Sequence, residues 1–213
     1  MKATIFDLDG TLLDSTGIWL EIDIRFLEKR GIALPPDYAD EIAAMSFPEV
    51  AAYTKARFGL PDAVDDILAE WNSMAAYAYG STVRMKPHAR KYLSALRAMG
   101  ARLAIATSSI PAFYEPALRR HGIFDWFEVI CRAEEVGCGK SRPDIFLLTA
   151  QKLGVQPSEC VVFEDLLPAV KSAKNIGMTV CGVYDEAAAN DWEQIKTVAD
   201  SAILSFEDAS LPK

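Results

Sequence analysis

The chain has 213 residues, 51% of them hydrophobic and 24% charged, with 30 acidic against 22 basic side chains and a net charge of -8. That length suits one large domain, or a core with a smaller insert, and the composition is ordinary for a globular fold. The acidic balance argues against nucleic acid or an anionic membrane as partner, and no apolar run approaches the ~18 residues of a membrane span.

The chain enters an apolar run directly, without the pattern of a secretory leader, so a cytoplasmic protein is expected. Cys131, Cys138, Cys160 and Cys181 show no CxxC spacing, and neither His88 nor His121 pairs with one of them at ligand spacing. They read as reduced thiols rather than a zinc site.

In chain order, residues 3–6 (ATIF) read as a buried strand that stops at Asp7-Leu8-Asp9-Gly10-Thr11. Helical periodicity follows over 16–30, 37–45, 48–58 and 62–79, with no convincing strand among them. From residue 87 the pattern changes. Helix over 87–99 gives way to a strand at 102–106, helix at 111–121, strand at 127–131, helix at 143–153 and strand at 160–163. A helix at 167–176, a strand at 178–183, a helix near 187–198 and a short strand near 202–204 complete the order. Alternation of this kind predicts an α/β fold with a Rossmann-like parallel sheet core, helices on both faces, and an all-helical cap inserted after the first strand. The core is expected over 1–15 and 80–213, and the cap over 16–79. The crossings are expected near residues 13–15 and 80–83.

Open parallel sheets bind ligands beyond the carboxyl ends of their strands. Asp7 and Asp9 follow the first strand, Thr107 and Ser108 the second, Glu134, Glu135 and then Lys140 the third, and Glu164 and Asp165 the fourth. Several carboxylates on one rim suit Mg2+, a hard cation that takes oxygen ligands. Hydroxyls and a lysine suit phosphate oxygens. A carboxylate can attack phosphorus, and a second one can protonate the leaving oxygen and then activate water. Two aspartates two residues apart, costly as like charges, make sense as that pair: Asp7 as nucleophile and Asp9 as acid/base. Asp-Gly alone would be a turn signal. A calcium loop of the EF-hand type fails, because Leu12 and Ile18 occupy the positions that need Gly and Glu.

DLDGTLLDS resembles the first motif of the haloacid-dehalogenase-like hydrolase superfamily. IATSS is similar to the second, GKSRPDIF to the third and VVFED to the fourth, in order and across nearly the whole chain. ALRRHGIFDWFEVI and KLGVQPSECVVFED resemble the β-phosphoglucomutase-like subfamily and related phosphatases, which carry a helical cap between the first two motifs. The resemblance implies a Mg2+-dependent phosphomonoester hydrolase working through an aspartyl phosphate. It implies Asp7 as nucleophile and metal ligand, and Asp9 as acid/base with its carbonyl on the metal. Gly10 would let the backbone turn close to phosphate. Thr107 and the Ser108 N–H would hold phosphoryl oxygens, and Lys140 would neutralise charge. Glu164 and Asp165 would serve the metal.

Departures from the family pattern narrow the reading. Leu166 and Ala169 stand where relatives usually have Ser and Gly, and Arg142 stands where a small residue is common. The cap histidine of the mutases is replaced by Trp19, and no arginine lies among residues 45–48, which favours a phosphatase over a sugar-phosphate mutase. Asp9 argues against a dehalogenase. Lys29 and Lys55 read as solvated rather than Schiff-base lysines. Trp19 and Phe47 are expected to line the substrate side of the cap, and the substrate is expected to be a small phosphorylated metabolite. A monomer is expected, since nothing in the sequence demands a partner protein. The reading from a different class is a non-catalytic phosphate-binding or regulatory protein.

Overall fold

The computed structural model describes residues 2–42 and 45–211. Six strands form one parallel sheet: β1 (Ala3–Phe6), β4 (Arg102–Thr107), β5 (Val129–Arg132), β6 (Cys160–Glu164), β7 (Thr179–Val183) and β8 (Ser201–Ile203), in the order β5-β4-β1-β6-β7-β8. A two-stranded antiparallel ribbon, β2 (Leu13–Asp14) with β3 (Arg84–Met85), is separate from it. The chain runs outward from β1 through β4 to β5, then returns to β1's other side at β6. The order therefore reverses at β1, and a crevice forms there beyond the carboxyl ends of the strands.

Alternation along the strands divides the core into two layers. Ile5, Ala104, Ala106 and Val162 point into one layer, under α8 (Asp144–Leu153), α9 (Leu167–Asn175) and α10 (Trp192–Val198), where they meet Phe146, Val170 and Ile195. Phe6 and Phe163 point into the other and stack at 4.9 Å, with Phe206, Phe127 and Tyr92 around them. Tyr92 belongs to α5 (Ala89–Ala98); α6 (Pro111–Arg120) follows β4, and α7 (Ala133–Val136) is a single turn after β5.

The chain divides into two compact units, Met1–Thr16 with Val83–Lys213, and Gly17–Thr82. The second is all-helical among its described residues: α1 (Ile18–Glu28), α2 (Tyr38–Ile42), α3 (Phe47–Phe58) and α4 (Val64–Ser81). The predicted helix over 37–45 includes Ala43 and Ala44, which lie outside the described residues. Trp71 on α4 is buried against Phe26 at 5.3 Å and Phe47 at 5.6 Å. Ser46 and Glu49 cap α3 reciprocally.

The second crossing falls between Thr82 and Val83, just after α4 ends at Ser81. Residues 187–191, expected as helix, lie instead in a 3-10 turn, Glu186–Asp191, before α10, because the Asp185 side chain accepts from the Ala187 N–H and fixes a tight start. β1 ends at Phe6, and the chain folds back over Leu8–Leu13, where Asp9 lies. No helix among the described residues is long and apolar enough to cross a membrane.

Candidate active site

Parallel register sets the level of each strand end. Phe6 pairs with Ile105 on one side and Phe163 on the other, so Asp7 comes level with Glu164 one residue further on. The Asp7 N–H donates to the Phe163 carbonyl at 3.0 Å, which extends the ladder by one bond and anchors the carboxylate at the rim. Asp7, Glu164 and Asp165 each turn an oxygen toward a common point, these atoms lying within 4.8 Å of one another, and all three residues are buried.

Lys140 reaches the same point from the loop before α8. Its ammonium donates to Asp7 Oδ1 and, at 2.7 Å, to Glu164 Oε2. Ser172 on α9 holds the Lys140 carbonyl at 2.6 Å. The second oxygen of Glu164 accepts from the Leu166 N–H at 3.2 Å, a backbone bond that does not depend on the residue there being Ser. Thr11 donates to Asp165 Oδ1 at 2.8 Å.

Burial pushes the Asp7 carboxyl well up; Lys140 opposes this, and Glu164, Asp165 and last Asp9 reinforce it. Burial also pushes Asp165 up to about 7, aided by Glu164. Burial works against the charge on Lys140, but the two carboxylates beside it win and hold its pKa above the usual lysine range. One lysine facing three carboxylates leaves an excess of negative charge in a low-dielectric crevice. Buried oxygen donors with that excess match a hard divalent cation such as Mg2+.

Asp9 stands apart from the trio. It lies in the Leu8–Leu13 loop, and its Oδ1 accepts from Ser15 at 2.6 Å. The like charges that matter most to Asp7 are thus Glu164 and Asp165, not the neighbour two residues away. Thr107 ends β4 beside β1; it is buried, its Oγ1 accepts from the Ser109 N–H at 2.9 Å, and Ser108 is exposed. Trp19 and Phe47 belong to the helical unit, where their rings meet edge to face at 5.4 Å and each stays about a third exposed (36%). Arg142 is solvated and paired with Asp144.

Gly10 has φ +89°, and a Cβ there would lie 2.4 Å from Asp165 Oδ2. The space that glycine leaves is filled by a carboxylate of the acidic trio. Gly10→Ala is therefore expected to lower stability by about 2 kcal/mol or more, from backbone strain and the clash together. It should also raise the Mg2+ concentration for half-maximal stabilisation at least tenfold. Thermal unfolding along a Mg2+ titration reads both.

Sequence reading did not single out Thr11, Ser172 or Asp185. Asp185 is buried and accepts from Thr16 at 2.8 Å and from Lys86 at 2.6 Å, tying both ends of the β2–β3 region to the strand next to β6. The threonine of DGT was visible as a motif letter. Ser172 and Asp185 carried no local signal.

The parallel α/β sheet thus carries at its switch point a buried acid trio that could hold a metal ion, with a lysine beside it. Residues 1–177 match the haloacid dehalogenase-like hydrolase family, and the chain belongs to it. It is 33% identical to hexitol phosphatase A of Escherichia coli, over 100% of this chain and 94% of that protein. It is 30% identical to the bifunctional riboflavin kinase/FMN phosphatase of Arabidopsis thaliana, over 100% of this chain but 55% of that protein, so it spans about half the plant enzyme's length. Among solved structures, a Thermotoga maritima protein thought to be a β-phosphoglucomutase shares the fold at TM-score 0.83 and 26% identity, over 95% and 94% of the two chains.

Proposed function

We propose that this chain is a Mg2+-dependent phosphomonoester hydrolase acting on a small phosphorylated metabolite, a sugar phosphate or similar, through an aspartyl phosphate on Asp7. The observation that carries the reading is the buried group of Asp7, Lys140, Glu164 and Asp165 at the strand-order reversal. Phosphatase names among the relatives of a hydrolase family support it.

In this reading an oxygen of Asp7 attacks phosphorus, and the bond to the leaving alcohol oxygen breaks as Asp9 gives that oxygen a proton. Ser15 holds the Asp9 carboxyl for this transfer. The carboxylate of Asp9 then takes a proton from water, which attacks the phosphorus of the aspartyl phosphate and frees Asp7. Lys140 offsets the charge of Asp7 and of the phosphoryl oxygens, and Thr107 with the Ser108 N–H positions those oxygens. A divalent cation held by Asp7, Glu164, Asp165 and the Asp9 carbonyl would neutralise charge on the transferring group. The helical unit acts as the cap, with Trp19 and Phe47 as its aromatic contacts for substrate.

A panel of phosphomonoesters, assayed for inorganic phosphate with Mg2+ and with EDTA, tests the function. Mg2+-dependent release is expected, strongest on a polyol or sugar phosphate. Conversion of glucose 1-phosphate to its 6-phosphate without release would replace hydrolase by mutase. Tight phosphate binding without turnover of any ester would make the chain a binding protein.

A further inference from the structure

In a chain of net charge -8, one face of the larger unit is built of arginine. The 3-10 turn Phe124–Trp126 that follows α6 presents two aromatic rings, and three guanidiniums lie over them. Arg97 is 4.7 Å and Arg90 5.8 Å from the centre of the Trp126 ring, and Arg119 is 3.9 Å from that of Phe124. Arg120 continues the row: it donates to the Val83 carbonyl and sits against His121 at 3.2 Å. Arg90 closes the gap between the two groups, since its Nη2 is the atom a side chain at Gly122 would meet, 3.5 Å away. All four arginines are exposed.

Elsewhere in this chain Arg25, Arg57, Arg102, Arg132 and Arg142 pair with carboxylates, while exposed Arg84 has none among the described residues. Arg90, Arg97 and Arg120 have none among the described residues, and Arg119 has only Glu115 at 3.6 Å. Helix electrostatics account for Arg119 and Arg120, which close α6 at its negative end. They do not account for Arg90. It stands in the first turn of α5, which carries no acid, so a cation has been placed at the positive end of a ten-residue helix. Stacking on Trp126 fixes the guanidiniums while leaving their N–H forks free, the arrangement that suits bidentate carboxylates. Arg90 and Arg97 are seven residues apart on one helix, about 10 Å along its axis. That is the spacing of acids at i and i+7 of a helix, or i and i+3 of an extended segment.

We propose that the arginine face of Arg90, Arg97, Arg119 and Arg120 is a docking surface for an acidic segment of a partner protein. Both faces of the patch argue for peptide carboxylates over nucleic acid. The guanidiniums of Arg90 and Arg97 already lie over the half-buried Trp126 ring and compete with a base for it. The strip is also short and set in an acidic molecule, with Asp125 exposed beside Trp126, so a long phosphate backbone would run on into repulsion.

The test uses a fluorescein-labelled 16-residue poly-glutamate peptide and fluorescence anisotropy at 50 mM NaCl. Binding to the intact chain is expected, weakening as salt is raised. Arg90→Glu/Arg97→Glu should raise the Kd at least tenfold, with thermal unfolding showing the variant folded. Lys171→Glu/Lys196→Glu, the same charge change on α9 and α10, should change it less than twofold. Equal loss in both variants, no binding to the intact chain, or displacement of the peptide by equimolar 16-bp DNA would each overturn the proposal.

Discussion

Replacing Asp7 with Asn is expected to cut phosphate release by about 10^4-fold or more, roughly 5.5 kcal/mol of barrier, and to leave the protein folded. The amide keeps the shape of the side chain but not its charge, so the bond to phosphorus cannot form. Stability should hold for a reason visible in the crevice. Asp7 shares its site with two other carboxylates, and its own carboxyl is pushed up by burial and by them. Removing one negative charge relieves that crowding, while Lys140 keeps Glu164 at 2.7 Å. The measurement is kcat on the best ester, beside a melting curve. More than a tenth of the original activity in a folded variant would take the nucleophile's role away from Asp7.

The stabilisation given by Mg2+ is expected to grow steeply between pH 5 and pH 8. Asp165 titrates at about 7 and Asp7 well above its ordinary value, both mainly through burial, so each binds a proton in the folded protein that it releases when unfolded. A raised acid makes stability fall as pH rises from the unfolded value near 4 toward the folded one, by on the order of 1.4 kcal/mol per pH unit per group. Metal binding needs both carboxylates ionised, so at low pH it must expel those protons, and for Asp165 that need fades above about pH 7. Other groups move the baseline. Asp23 in α1, pushed up to about 6 by burial, acts in the same direction. His121, held down by burial and by the arginines near it, acts oppositely below its ordinary value. The quantity to read is therefore the gap between melting temperatures in 10 mM Mg2+ and in EDTA at each pH. A gap that stays constant from pH 5 to pH 8 would separate the metal from this carboxylate group.

The strands that carry the site could be seen in the sequence because each is a short, mostly apolar and mostly buried run with a polar residue at or just after its end. ATIF before Asp7, RLAIAT and CVVFE are all of that kind. The four groups that meet in the crevice could be listed as strand-end residues before any coordinates, since parallel strands put their carboxyl ends on one rim. What holds those groups was harder to see. Thr11 and Asp165 are 154 positions apart, Lys140 and Asp7 133, and Ser172 and the Lys140 carbonyl 32, distances at which one sequence carries no pairing signal. The ribbon β2–β3 is two residues per strand, too short for any periodicity. Asp23 did carry a signal: it interrupts the stripe of Ile22, Phe26 and Leu27 on the buried side of α1. Its raised carboxyl is the physical trace of that interruption.

That two-residue ribbon has a larger consequence than its size suggests. Asp14 and Arg84 stand opposite each other, so the chain re-enters about 5 Å from where it leaves. For the sheet, the whole of Gly17–Thr82 is topologically one hairpin loop. Closing such a loop costs little more when it is long than when it is short. The segment Gly17–Thr82 can therefore be lengthened, exchanged or shortened at little entropic cost to the sheet, while Ser15 and Thr16 keep their contacts with Asp9 and Asp185. Evolution can then treat the chemistry and its accessory as separately replaceable parts.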